Sequence, residues 1–230
     1  MLSRRDFLCL AAAAPALRYP IIPPLLLPRL SPNHVSTGAP ALDAKIGGGW
    51  RRGRMTQLFG LDAVGLWLTA FRSSETALVN GLRVTWIAQD KQMIYDYAET
   101  VGYHVKGVQV RLVDDLEAAL CAVEQAVRMF DLIVVFAPLA ELPTAGVIPP
   151  CKQVRRVARA ARNMKAATVV VTDGDEELVQ SKQVGRAVRF YASTRIRVDK
   201  SPMPVQTGGE WRSDYRIVKH SREYRRFPPL

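Results

Sequence analysis

Asp131-Leu132-Ile133-Val134-Val135-Phe136 is apolar at every position after the first, and Thr168-Val169-Val170-Val171-Thr172 repeats the pattern further along. A strand with one wet face alternates apolar and polar residues. These two runs do not alternate, so both faces must be covered, which is the condition of strands inside a parallel sheet. A parallel sheet needs crossover connections, and the segments around these runs have the length and periodicity to supply them as helices.

Working outward, Met55–Phe59, Arg83–Ala88 and Val108–Leu112 read as three further strands. Leu66–Leu78, Gln92–Val101 and Leu116–Met129 read as the helices between them, the second closed by Gly102 and the third carrying Leu116, Ala119, Leu120, Val123 and Val127 at helical spacing. Lys152–Lys165 is a fourth helix, and Arg189–Val198 and Tyr215–Lys219 read as late strands, antiparallel at one edge. The expected fold is α/β: a mostly parallel sheet with helices on both faces. No internal repeat is visible. The expected organisation is an apolar arm and proline-rich tether over 1–34, the core over 35–210, and a C-terminal strand with a basic-aromatic tail over 211–230.

The charge narrows the partners. The chain has 230 residues, enough for one α/β core, and a net charge of +11, which favours polyanions: nucleic acid first, an anionic membrane surface second. Cys9, Cys121 and Cys151 lack metal-ligand or disulfide-framework spacing, so thiols in a reducing compartment and no metal site are expected. Ser3-Arg4-Arg5-Asp6-Phe7-Leu8 fits a twin-arginine export signal, followed by an apolar run to Leu17 that is too short to span a membrane. The competing reading is an arm that docks on a neighbour, with Pro20, Pro23, Pro24, Pro28 and Pro32 making the tether behind it extended.

Val35-Ser-Thr-Gly-Ala-Pro-Ala-Leu-Asp43, then Gly47-Gly-Gly-Trp50 and Gly53-Arg54, resembles the opening of the RecA family core. Trp86-Ile87 through Tyr97-Ala98 and Gly102 is similar to that family's second strand and helix. Asp131–Phe136 resembles the strand bearing its second nucleotide motif. Gly185-Arg-Ala-Val-Arg-Phe-Tyr-Ala-Ser193-Thr-Arg-Ile196 is similar to the text after the family's second DNA-binding loop, and Tyr215–Arg222 to its lysine-bearing last strand. The resemblance covers roughly residues 35 to 228. Gly47–Gly53 with an altered phosphate loop behind it also resembles the ImuA branch, whose members act beside an error-prone polymerase. Phe190–Ser193 looks more like RecA proper, so the branch stays open.

The resemblance implies a nucleotide site, and here its residues are changed. A phosphate loop has the form GxxxxGK[ST], with backbone N–H groups, a lysine and a magnesium-binding hydroxyl around the phosphates. The chain has Gly60 and Gly65 but Leu66 for the lysine and Trp67 for the hydroxyl, with Asp62 where phosphates would sit. Phe136 stands where the second motif ends in an aspartate, and Asp90 stands where the family has its water-activating glutamate. Without lysine, metal ligand and second carboxylate, phosphoryl transfer loses its positioning and its charge neutralisation. The expectation is no ATPase activity, no catalytic residue and no cofactor, with apolar packing in place of the ligand; the alternative is nucleotide binding without hydrolysis.

Lys152, Arg155, Arg156, Arg159, Arg162 and Lys165 lie in a segment without an acid, and five of them fall on one helical face, leaving Val154, Val157, Ala158, Ala161 and Met164 inward or flanking. A polyanion relieves the repulsion along such a stripe and releases counterions. By the resemblance, this helix lies between DNA-binding loops at Thr144–Pro150 and Asp173–Arg186. The second loop is acidic at Asp173, Asp175, Glu176 and Glu177, with Lys182, Arg186 and Arg189 at its far end. Arg225 and Arg226 belong to a tail that mixes cations with Trp211, Tyr215, Tyr224 and Phe227, a pattern suited to single strands. The resulting expectation is a cytoplasmic, non-catalytic RecA-like protein of recombination, repair or damage tolerance. It would bind DNA, single-stranded by preference, and a RecA-like or DNA polymerase partner, or itself through the arm, with no membrane. The alternatives are an interaction module that does not touch DNA and an exported protein.

Overall fold

The computed structural model describes residues 32–100, 107–136, 149–174, 183–200 and 213–219. Residues 1–31 of the arm and tether, Gly102, Lys182 and the tail with Arg225 and Arg226 lie outside the described residues. A seven-stranded sheet forms the centre. Its strands are β3 (Arg54–Gly60), β4 (Val84–Ala88), β5 (Gln109–Leu112), β6 (Leu132–Val135), β7 (Ala167–Asp173), β8 (Thr194–Lys200) and β9 (Ser213–Lys219), in the order β5-β4-β6-β7-β3-β8-β9. All neighbours are parallel except β8 and β9. β1 (His34–Val35) and β2 (Trp50–Arg51) make a separate antiparallel pair.

Side chains alternate across the sheet, and both sides are apolar, as the two continuous runs required. Leu132, Val134 and Val169 enter one core with Trp86 and Ile196. That core is covered by α1 (Pro40–Ile46), α2 (Ala63–Val79) and Ile94 and Ala98 of α3 (Lys91–Thr100). Ile133, Val135 and Val170 enter the other, under α4 (Leu116–Ala126), α5 (Pro150–Met164) and α6 (Gln183–Tyr191). β9 alternates too: Tyr215 and Ile217 pack on the first core while Asp214, Arg216 and Val218 are exposed. The strand assigned above to a C-terminal segment is therefore the last strand of this sheet.

The reading of Arg189–Val198 as one strand is corrected. Arg189, Phe190 and Tyr191 close α6, and β8 starts at Thr194. Strand-like aromatic composition lost there to the helix register that buries Val184, Ala187 and Val188. Met164 is also exposed rather than inward.

Local chemistry explains the opening motif. The Asp43 carboxylate accepts hydrogen bonds from the Ser36 hydroxyl (2.6 Å) and the Thr37 N–H (2.9 Å), folding the turn back on α1. Gly38 has φ +73°, and a Cβ there would lie 2.7 Å from the Arg72 carbonyl oxygen, so this contact with α2 needs glycine. Ahead of β6, Asp131 accepts from Arg52 Nη1 at 2.9 Å and from the Arg83 N–H at 3.0 Å, tying the β2–β3 turn to the start of β4.

Burial alone would raise the Asp131 carboxyl, but the hydrogen bonds from Arg52 and Arg83 outweigh it and hold it below the ordinary carboxylate range. A depressed folded value makes the stabilisation complete above the unfolded value of about 3.9 and lost as pH falls through the folded one. Asp131→Asn should therefore cost about 1–2 kcal/mol at neutral pH, from weakened charge-assisted bonds. In urea titrations, the gap between variant and parent should close as the pH drops below about 4.

Candidate nucleotide and nucleic-acid sites

The phosphate-loop segment leaves β3 at Gly60 and enters α2 at Ala63. Gly60 is pinched between neighbours: it bridges to Gly174, and a Cβ on it would lie 2.1 Å from the Val198 carbonyl oxygen. Asp62 occupies the N-cap position of α2 and is buried, although its side chain accepts no capping hydrogen bond. A helix N-terminus attracts anions, and Asp62 puts one of the chain's own acidic residues at this one.

Gly65, Leu66 and Trp67 are all buried in the first turns of α2. Trp67 stacks on Phe136, with ring centroids 4.4 Å apart and planes 6° from parallel, so nothing fits between the rings. Trp86 meets Phe136 edge-on at 5.4 Å, and Phe71 packs against the other three at 5.2–5.9 Å. Offset and edge-on pairs of this kind add to plain burial. Trp67 and Phe136 thus belong to one packed unit. Asp90, at the end of β4, accepts from the Gln92 N–H at 2.8 Å and so helps to start α3.

α5 presents the basic stripe. Lys152, Arg155, Arg156, Arg159, Arg162 and Lys165 are exposed, while Gln153, Val154, Val157 and Ala161 are buried. Lys165 takes the left-handed cap that ends the helix. The stripe is not uniform. Arg156 turns toward α4 and pairs with Glu124 at 2.8 Å. Arg155, Arg159 and Arg162 instead line a cleft of about 220 Å³ between α5 and the end of α6. Arg54, absent from the sequence-based set, completes this lining from the start of β3. Its guanidinium is held below its ordinary value by burial first, then by the like charges of Arg162 and Arg51. The Arg51-Arg52-Gly53-Arg54 run was the available signal, but only the fold brings Arg54 to α5.

Arg186 and Arg189 are exposed on α6, beside α5. Lys219 reaches from β9 to the carbonyls of Arg189 (3.2 Å) and Phe190 (2.9 Å), capping the end of α6. Burial, then the charges of Arg195 and Arg189, lower its pKa. Of the two expected DNA-binding loops, only Pro149 and Pro150, and the flanks Asp173–Gly174 and Gln183–Arg186, fall within the described residues.

RecA proteins of bacteria are similar to this chain. Protein RecA of Thermus aquaticus is 28% identical over 206 residues, which is 80% of this chain and 61% of that protein. Protein RecA of Thermus thermophilus is 29% identical over 209 residues, again 80% and 61%. The similarity extends over about four fifths of this chain and supports a RecA-like relationship. Protein RecA of Deinococcus radiodurans is 28% identical over 204 residues, 79% of this chain and 56% of that protein. The chain spans about three fifths of the length of the RecA proteins it matches. No family model matches it. The seven-stranded sheet agrees with the RecA-like core that the sequence motifs implied.

The packed rings make a stability prediction. Phe136→Ala should cost about 3–5 kcal/mol, as expected for a buried aromatic. Phe136→Asp places a carboxyl among three rings, which raises its folded pKa above the unfolded value. Its charge penalty is then present near neutral pH and fades as pH falls toward about 4. Chemical denaturation at both pH values, relative to the parent, checks the sign.

Proposed function

We propose that the chain is a RecA-like protein that works in DNA recombination, repair or damage tolerance by binding single-stranded DNA, without hydrolysing ATP. The Trp67–Phe136 stack carries the second half of this reading, because it fills with ring carbon the place where phosphate and metal chemistry would occur. The buried Asp62 carboxylate at the start of α2 supports it by repelling an incoming phosphate. The first half is supported by the exposed cations of α5 together with Arg186 and Arg189 on α6. The similarity to RecA proteins supports the pathway. A role on DNA keeps the protein in the cytoplasm, where a RecA-like or polymerase partner would meet it.

The purified protein should show no ATP turnover with or without DNA. It should bind single-stranded DNA with an affinity that falls with salt, at a logarithmic slope of about −0.7 for each phosphate engaged. Leu66→Lys combined with Trp67→Thr should not restore turnover, since Phe136 still offers no carboxylate, and should destabilise the fold by emptying the ring stack. DNA-stimulated turnover that disappears in a Gly65→Asp control would overturn the reading. A folded protein that fails to bind single strands at low salt would leave an interaction module of the same fold.

A further inference from the structure

The cations of α5 do not all face one way, and the cleft takes a particular subset. Its floor is the start of β3, with Gly53, Arg54 and Met55. One wall is α5, through Arg155, Arg159 and Arg162, and the other is the end of α6, through Tyr191. The α6–β8 turn is fastened to the floor by Ser193, whose N–H donates to the Met55 carbonyl at 2.8 Å. The cleft therefore has a fixed shape.

Among the described residues, none of the four arginines has a carboxylate partner. Arg162 lies in the last turn of α5, where it also complements the carbonyl end of the helix. Arg54, Arg155 and Arg159 have no such role. Gathering four guanidiniums without an acid costs stability, and one anion between them removes that cost. The guanidinium fork suits phosphate oxygens. At about 220 Å³ the space is smaller than pockets that enclose drug-sized ligands and suits a phosphate group rather than a whole nucleotide.

A second feature selects the kind of phosphate. Phe190, next to Tyr191 at the end of α6, is 70% exposed, a large apolar ring left in water. It lies edge-on to Tyr191, with centroids 5.0 Å apart, and Tyr191 lines the cleft. Lys219 fixes the backbone beneath it through the Phe190 carbonyl. Single strands bind where charge follows the backbone and aromatic faces receive unstacked bases.

We infer that the cleft between α5 and α6 seats one backbone phosphate of single-stranded DNA on Arg54, Arg155, Arg159 and Arg162, with the Phe190 ring as the stacking surface for an adjacent base. This rests on the proposed binding of single strands and assigns it a place. Arg54 and Phe190 are in it; Arg156, held by Glu124 on the other side of α5, is not.

The test measures binding of the full chain to a fluorescent oligothymidylate across a salt series, beside an abasic strand of equal length and a duplex. Arg54→Ala and Arg159→Ala should each weaken binding and flatten the logarithmic salt slope by about 0.7. Arg54→Lys, which keeps the charge, should keep the slope. Phe190→Ala should weaken binding to the oligothymidylate about fivefold or more, and leave the abasic strand and the duplex unchanged. Arg111→Ala, which removes an equal charge from edge strand β5, should behave as the parent. Thermal melts establish that each variant is folded; loss of Arg54 should not lower the melting temperature, since it relieves like-charge repulsion. A folded Arg54→Ala with parental affinity and slope overturns the cleft while the broader DNA-binding reading stands. A Phe190→Ala loss that is equal on the abasic strand overturns the stacking surface. Failure of the parent chain to bind any single strand overturns both the cleft and the reading beneath it.

Discussion

Helix α2 is buried along most of its length, from Gly65 to Ala77, and each surrounding element meets it through a specific contact. Trp67 stacks on Phe136 at the end of β6. The Trp86 indole N–H of β4 donates to Ser74 Oγ at 2.9 Å, and that of Trp50 in β2 donates to Ser73 Oγ at 2.9 Å. Ser73 in turn reaches the Thr37 carbonyl, beside the turn that Asp43 folds. Thr69 donates to the Gly65 carbonyl, so the Tyr215 hydroxyl of β9 must donate to Thr69 at 3.0 Å. A helix enclosed in this way cannot carry an unsatisfied polar group without cost, and its serines and threonine serve as anchors for indole and phenol rings.

The same enclosure governs the site. A phosphate-binding helix keeps its first turn open so that N–H groups and a lysine can face a ligand. In α2 the first turns face inward. Leu66 is fully buried and Trp67 nearly so, and the rings of Trp67, Phe71, Trp86 and Phe136 join α2 to the middle of β4 and the residue after β6. Opening a ligand site here would mean removing rings that also hold β4 and β6 against the helix. The packing of this face thus joins α2, β4 and the residue after β6 through one ring cluster.

What could be read from the sequence follows from the range of the interactions involved. The buried strands were legible because a continuous apolar run has few other uses. The stack of Trp67 on Phe136 was not, since the two residues are far apart in the chain and nothing local states that they touch. Arg156 looked equivalent to Arg155 on the stripe, but Glu124, on another helix, separates them. Arg54 entered the basic cluster only through the parallel register that sets the start of β3 beside the end of α5. Phe190 and Tyr191 have strand-like side chains, and only the burial of Val184, Ala187 and Val188 fixed their segment as helix.

The arginines of this chain can be sorted by how the fold treats them. Where the structure needs a guanidinium, it supplies a partner: Asp131 for Arg52, Glu124 for Arg156, Asp199 for Arg197, and Gln57 with the Phe59 ring for the buried Arg195. The four around the cleft receive none among the described residues, and they sit close enough for Arg162 to oppose the charge on Arg54. Packing does not explain that difference, because the same helix that pairs Arg156 leaves Arg155 and Arg159 without an acid. The cleft also lies at the start of β3, about 20 Å along the strand from Gly60 at about 3.3 Å per residue. The buried Asp62 follows the opposite end of that strand, so the acid and the four arginines are set apart along β3.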